Sequence, residues 1–361
     1  MKKLLILIVA LLALGISACT PSNGGPTVRT YEIALITDVG TIDDKSFNQG
    51  AWEGVKAYAE DNNITYKYYA PARQDTQQYI NAITLAVENG AKIIVTPGFL
   101  FEPAIFQAQD LFPEVKFVLL DGFPQDGTYT EFRIEDNVHS IFYAEDQVGF
   151  IAGYAAVMDG YRSLGFMGGM AVPAVVRFGY GFVQGAEYAA AELGVEVTLQ
   201  YTYLGDFEPT PAHQTRAAAW FDSGVEVIFA AAGGAGNAVM AAAEAAGGKV
   251  IGVDVDQKDE SATIITSAMK ELGGSVYMAL ENFYADEFKG GVSETLGVNE
   301  DGVGLPDDFS RFSTFTKADY DALFAALVAD TDSIRSNILG DQDVEKATEI
   351  PTEFVTVNLV D

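Results

Sequence analysis

Apolar runs of strand length alternate with longer stretches of helical periodicity along nearly the whole chain, in two successive sets. The first set has runs at 32–37, 65–69, 92–96 and 116–120, with helical stretches near 47–61, 76–89 and 102–111 between them. The second has runs at 163–167, 196–200, 226–230 and 249–253, with helices near 178–193, 212–222 and 236–246. A parallel strand pair needs a crossover, and a helix that covers the sheet supplies it, so this alternation predicts βαβ units and parallel sheets. The expected fold is therefore α/β, with two doubly wound parallel-sheet lobes. The remaining stretch, from about Leu272 onward, holds a helix near 271–289, a strand-like 312–315, a helix near 317–329 and a strand near 354–358. That is too little for a third lobe, so it is expected to complete the first two across a multi-strand hinge. The lobes then comprise 31–143 with about 272–300, and 144–271 with about 301–361.

Open α/β sheets bind ligands outside the carboxyl ends of their strands. Here the strands run into Asp38, Pro97-Gly98, Asp121-Gly122, Gly168-Gly169, Gly233-Gly234 and Asp254. Glycine lets a backbone turn or approach a ligand closely, and aspartate supplies an acceptor. Each residue alone is also ordinary turn chemistry. Acids and glycines recur at strand ends in both halves, which predicts two crevices facing one another across a cleft.

The chain opens with Met1-Lys2-Lys3 and an apolar run from Leu4 to Leu14, the charged start and short apolar core of an export signal covering 1–18. Small residues then lead into Cys19, the only cysteine, in the manner of a bacterial lipobox. A lone cysteine is otherwise a small buried hydrophobe, but its place after the apolar run points to lipidation. Residues 19–30 then read as a flexible lipidated tether. Localisation follows: exported, and held at the outer face of the bacterial cell membrane or in the periplasm by the lipid alone. No second apolar run is long enough to cross a bilayer.

With 51 Asp and Glu against 21 Lys and Arg, the net charge is −30, which argues against nucleic acid as a partner. His139 and His213 lack companions at metal spacing, no disulfide remains to be made, and neither metal nor cofactor is expected. There is no Gly-x-Ser-x-Gly elbow and no Gly-x-x-x-x-Gly-Lys-Ser/Thr loop, so an enzyme is not expected.

The most informative stretch, 38–50, leaves the first strand and enters the first helix. Asp44 or Ser46 can cap that helix. Phe47 and Asn48 then stand at the crevice mouth, where an aromatic face can stack on a base and an amide edge can pair with it. Together with the lipobox, the segments 40–49 (GTIDDKSFNQ), 178–182 (FGYGF), 252–257 (GVDVDQ) and 266–270 (TSAMK) make the chain resemble the basic membrane protein family of lipoproteins, which includes the purine nucleoside receptor type. The resemblance spans essentially the whole mature chain, although the acidic composition departs from the family name.

The resemblance implies a type I periplasmic-binding-protein fold whose ligand is a nucleoside such as guanosine, adenosine or inosine. Phe47 and Phe178 would then sandwich the base, with Asp44 and Asn48 on its edge. Asp121 and Gly233 would line the pocket, and Asp254 and Lys270 would hold the sugar. Asp38 and Asp256 are secondary candidates. Phe178 at helical spacing is also a core position, and Lys270 an ordinary surface lysine. Gly233 to Asn237 at a helix start could cradle a phosphate, but Asp121 and Asp254 would repel it, which favours an unphosphorylated ligand. The expected role is delivery by a monomer to the permease and ATPase subunits of an ABC importer. A sugar receptor of the same fold and a ligand-sensing lipoprotein acting through a partner receptor are the alternatives.

Overall fold

The computed structural model describes residues 30–360; the expected signal, Cys19 and the tether up to Arg29 lie outside the described residues. The first half runs β1 (Ile33–Ile36), α1 (Phe47–Asp61), β2 (Tyr66–Tyr69), α2 (Thr76–Glu88), β3 (Ile93–Pro97), α3 (Glu102–Leu111), β4 (Lys116–Leu120) and β5 (Val138–Tyr143). The second runs α4 (Glu145–Met158), β6 (Ser163–Gly168), α5 (Pro173–Leu193), β7 (Val197–Tyr203), α6 (Pro211–Asp222), β8 (Val227–Ala231), α7 (Gly236–Ala246), β9 (Lys249–Asp254) and β10 (Ile264–Lys270). The chain ends with α8 (Leu272–Tyr284), β11 (Val292–Leu296), β12 (Val303–Gly304), α9 (Lys317–Ala329) and β13 (Val355–Leu359).

Two sheets result, in the orders β11-β5-β4-β3-β1-β2 and β12-β10-β9-β8-β6-β7-β13. Among the described residues only β12 runs antiparallel to its neighbour in the sheets. Helices cover both faces of each sheet, so the central strands are buried on both sides and read as unbroken apolar runs, as Ile33–Ile36 and Val227–Ala231 do. The chain passes between the sheets at Ala144, at Glu271 and between β11 and β12. In this way α8 returns to pack against α1, and β11 adds an edge to the first sheet.

One helix was not legible. α4 is buried all round and lacks an amphipathic stripe. It lies against α5 at backbone contact: a Cβ at Gly149 or Gly153 would meet the Phe178 and Phe182 carbonyls, and one at Gly181 or Gly185 would meet those of Asp146 and Phe150.

Two sequence expectations need correction. α5 begins at Pro173, where the fixed proline φ favours a helix start, so Phe178 sits in its second turn. Residues 312–315 form no strand. The amides of Ser313, Thr314 and Phe315 instead converge on Asp159 Oδ1 at 2.7, 2.6 and 3.0 Å, which satisfies them without a neighbouring strand.

Candidate functional site

The carboxyl ends of β1, β4, β9 and β10 deliver Asp38, Asp121, Asp254 and Lys270 to one cavity of about 390 Å³ between the sheets. That volume lies in the range of small-molecule sites. Asp121 (φ 53°) and Asp254 (φ 67°) both adopt the left-handed backbone region. This conformation is uncommon for a side-chain-bearing residue, and it turns each acid out of its strand into the crevice.

The loop between β1 and α1 is built around Asp44. Its Oδ1 accepts from the Ser46 and Gln49 amides at 2.9 and 3.1 Å, and its Oδ2 from the Asn48 amide and side-chain nitrogen at 3.1 and 3.0 Å. Asp44 thereby caps α1. This frees the Ser46 hydroxyl to donate to Asp254 on the facing lobe. Asn48 Nδ2 also donates to Asp38 Oδ1 at 3.1 Å. Held between two carboxylates, the amide can point only one way, and Asn48 Oδ1 is left buried with no partner among the described residues. Asp121 Oδ1 is in the same condition.

The first lobe thus lines the cavity with Asp38, Asp44, Phe47, Asn48 and Asp121, and the second with Phe178, Gly233, Asp254 and Lys270. Asp256 is not brought there: its carboxylate accepts from the Lys258 amide at 3.1 Å and lies 3.5 Å from the Lys258 ammonium. Phe178, only 2% exposed, also packs edge-on against Phe229 with ring centroids 5.7 Å apart, so it serves core and cavity together.

Lys270 is the centre of charge. Its ammonium lies 2.5 Å from Asp121, 2.8 Å from Glu145 and 3.8 Å from Asp254. It also stands 4.8, 5.4 and 5.2 Å from the ring centroids of Phe47, Tyr143 and Phe178. Burial works against its charge, but the three carboxylates outweigh that and raise its pKa. Burial pushes Asp121 up to about 7 against the pull of Lys270, pushes Asp38 up to about 6, and raises Asp254 and Asp44. Glu145 goes the other way: burial is overcome by Arg177 and Lys270, which hold its carboxyl down at about 2.

Sequence reasoning passed over several residues here. Glu145 and Arg177 lie on the α4–α5 pair, the least legible part of the chain. Ser46 was weighed only as a cap. Phe207 lines the cavity, and its backbone carbonyl and ring crowd Gly234 and Gly233, but nothing in its residue type marks it out from the other phenylalanines. Asn237 also lines the cavity and donates to the Gly234 carbonyl at 3.0 Å.

Chemically, the cavity offers buried acceptors, aromatic walls and one neutralised cation. It suits an uncharged ligand rich in N–H and O–H donors and opposes an anion. Among the described residues no cluster of His, Cys, Asp and Glu is arranged to hold a metal ion.

The family model described as "ABC transporter substrate-binding protein PnrA-like" matches residues 32–325. A relative from Lactococcus lactis, named an ABC transporter nucleoside-binding protein, is 29% identical over 320 residues, covering 82% of this chain and 87% of that one. Basic membrane protein D of Borreliella burgdorferi is 30% identical over 300 residues, covering 82% and 84%. Among solved structures, an ABC transporter solute-binding protein from Aeropyrum pernix superposes with a TM-score of 0.68 at 26% identity, covering 88% of this chain and 90% of that one. The two-lobed architecture is that of the type I periplasmic-binding proteins.

Proposed function

Since the chain belongs to the PnrA-like, basic membrane protein family of ABC transporter substrate-binding proteins, and is a binding protein and not an enzyme, we propose that its ligand is a purine-type nucleoside. It is captured between the lobes and passed to the permease and ATPase subunits of an importer. The observation that carries the reading is the pair of buried, unpartnered acceptors, Asn48 Oδ1 and Asp121 Oδ1, in a cavity walled by Phe47, Phe178 and Phe207. A buried acceptor without a donor is costly, and a nucleoside brings both a flat face for the rings and donors for the oxygens. The carboxylates of Asp38, Asp44, Asp121 and Asp254 disfavour a phosphorylated ligand. The name of the Lactococcus relative points the same way. Binding to both lobes favours closure, because only the closed form makes all the contacts.

Calorimetry with guanosine, adenosine, inosine, the pyrimidine nucleosides, free ribose and glucose tests this. We expect the purine nucleosides to bind most tightly. Ribose or glucose binding more tightly than every nucleoside would replace the reading with a sugar receptor. In the same reading Asp254 serves the ribose, so adenosine should outbind 2′-deoxyadenosine and Asp254→Ala should narrow that ratio.

Export and lipid anchoring through Cys19 complete the proposal. Cys19→Ala should release the protein from the membrane fraction with its fold intact. Wild-type membrane retention of that variant would place the anchor elsewhere.

A further inference from the structure

Two charges, Glu145 wholly buried and Arg177 partly so, stand behind the cavity without lining it. Glu145, wholly buried at the first position of α4, sets one carboxylate oxygen 2.8 Å from the Lys270 ammonium and the other 2.7 Å from Arg177 Nε. Arg177, in the second turn of α5, reaches Asp341 at 3.4 Å. The charges therefore alternate along a row: Asp341, Arg177, Glu145, Lys270, Asp121. Four of the five belong to the second lobe, since α4 packs on α5 and Lys270 ends a strand of the second sheet. Asp121 alone ends a strand of the first.

That division matters when the lobes part, an opening that rests on the capture reading above. Asp121 then withdraws with its own lobe, whereas Glu145 stays. A lysine carries its charge on a flexible four-carbon stem and is strongly hydrated, so without a partner on its own lobe it would turn outward to water. We propose that Glu145 and Arg177 are positioning residues, which hold the Lys270 ammonium at the cavity wall in the open, ligand-free protein so that the site is assembled before the ligand arrives.

Both members are needed for this. A wholly buried carboxylate facing a single cation across a parting cleft would be poorly compensated, and Arg177 neutralises it permanently. By taking one oxygen, Arg177 also fixes the plane of the carboxylate, and the other oxygen stands 2.8 Å from Lys270 as an ion pair without an aligned hydrogen bond. A simple brace between α4 and α5 would use Arg177 and one oxygen only; the second oxygen on Lys270 is what such a brace does not require. The remaining groups facing Lys270 are Asp121 from β4, Asp254 from β9, and the rings of Phe47 on α1, Tyr143 on β5 and Phe178 on α5. Of the carboxylates, Asp254 is the more distant: it also stays on the second lobe when Ser46 withdraws, but at 3.8 Å it supports Lys270 less closely than Glu145 does at 2.8 Å.

The test is read without ligand. Ligand-free protein is treated with an amine-acylating reagent at mildly alkaline pH, and modification of Lys270 is followed by mass spectrometry, with exposed Lys56 as internal standard. Glu145→Gln should speed modification of Lys270 by about tenfold or more, because loss of an adjacent carboxylate lowers the lysine pKa by one unit or more. Glu145→Leu should act in the same direction, which keeps the test available if Glu145→Gln does not fold, whereas Arg177→Lys, which keeps the cation that compensates Glu145, should react near the wild-type rate. Asp121→Asn should change the rate by less than about twofold. The proposal is overturned if Glu145→Gln, or Glu145→Leu in its place, reacts at the wild-type rate, or if Asp121→Asn gives the larger acceleration. A wild type that binds no nucleoside while the lysine rates follow the expected order would remove the nucleoside reading and support this one.

Discussion

The two walls of the cleft are built on opposite plans. On the first lobe, most polar groups around the start of α1 are spent on one another: Asp44 takes four donors, Asp38 takes the Asn48 amide and Asn48 Oδ1 remains over, while Lys45 and Ser46 reach across to Glu260, Gln257 and Asp254. That wall is a rigid loop presenting an acceptor. On the second lobe, Lys270 and Asp254 are tied to partners across the cleft, to Asp121 and Ser46, as well as to Glu145 behind. That wall is a charge cluster whose balance depends on where the lobes stand. Self-contained polarity makes a template, and shared polarity makes a latch.

The largest effect should come from removing the cation that the second wall is built around. Lys270→Met leaves Asp121, Glu145 and Asp254 with one fewer counter-charge in a buried site. We expect a loss of about 3–5 kcal/mol in folding stability, the cost of breaking a buried pair from one side, together with loss of ligand binding. Urea melts of the two proteins measure it. A melt matching wild type would mean that the carboxylates are already protonated, and the contrast between the walls would collapse.

The two phenylalanines sharpen the same comparison at intermediate size. Phe47→Ala should weaken nucleosides by about 1–3 kcal/mol, the value of a base stacked on a ring, with a small effect on stability because Phe47 is only partly buried. Phe178→Ala should cost similar affinity and also about 3–5 kcal/mol of stability, since its ring fills core against Phe229. Calorimetry and melts on both variants separate the roles. Equal destabilisation by both would show that Phe47 is core as well.

How much of this was legible depended on whether the signal was local. The doubly wound lobes could be read because strands such as Ile33–Ile36 and Val227–Ala231 are buried on both faces and stand out as apolar runs. Asp38, Asp121 and Asp254 could be found because strand ends are where such sheets bind, and 38–50 because an acid cluster beside an aromatic is unusual. Glu145 and Arg177 could not be found. Their helices meet glycine against glycine, so periodicity is weak there, and a carboxylate 125 residues before its lysine gives no local sign of the pairing. Phe207 was hidden for a related reason, since its relation to Gly233 and Gly234 is made by the sheet order and not by spacing. Asp256 is a secondary candidate only through the resemblance, and the chain turns after Asp254 so that Lys258 claims it.

The smallest expected effect tests the template wall and concerns pH. Burial raises Asp38 from 3.8 to about 6, although the Gly40 amide and the Asn48 side chain donate to it and favour its charge. The folded state therefore holds this proton more tightly than the unfolded chain does. The resulting stabilisation is full below the unfolded value, near pH 4, and is lost as pH rises through about 6. Asp121, raised to about 7, shifts in the same direction. Carboxyls with lowered values, such as Glu145, contribute the opposite slope as pH falls, so the whole-protein curve mixes the two. The informative quantity is the difference between Asp38→Asn and wild type. Asparagine cannot ionise, so the variant should gain on wild type by about 1 kcal/mol between pH 4.5 and 7.5, one pKa unit's worth, because the cavity lets water reach this carboxylate. Urea melts of both ligand-free proteins at the two pH values give the number directly. A difference that stays flat across that interval would mean that Asp38 is ionised throughout, and the first wall would then present a fixed negative charge beside Asn48 in place of one that appears only as pH rises through about 6.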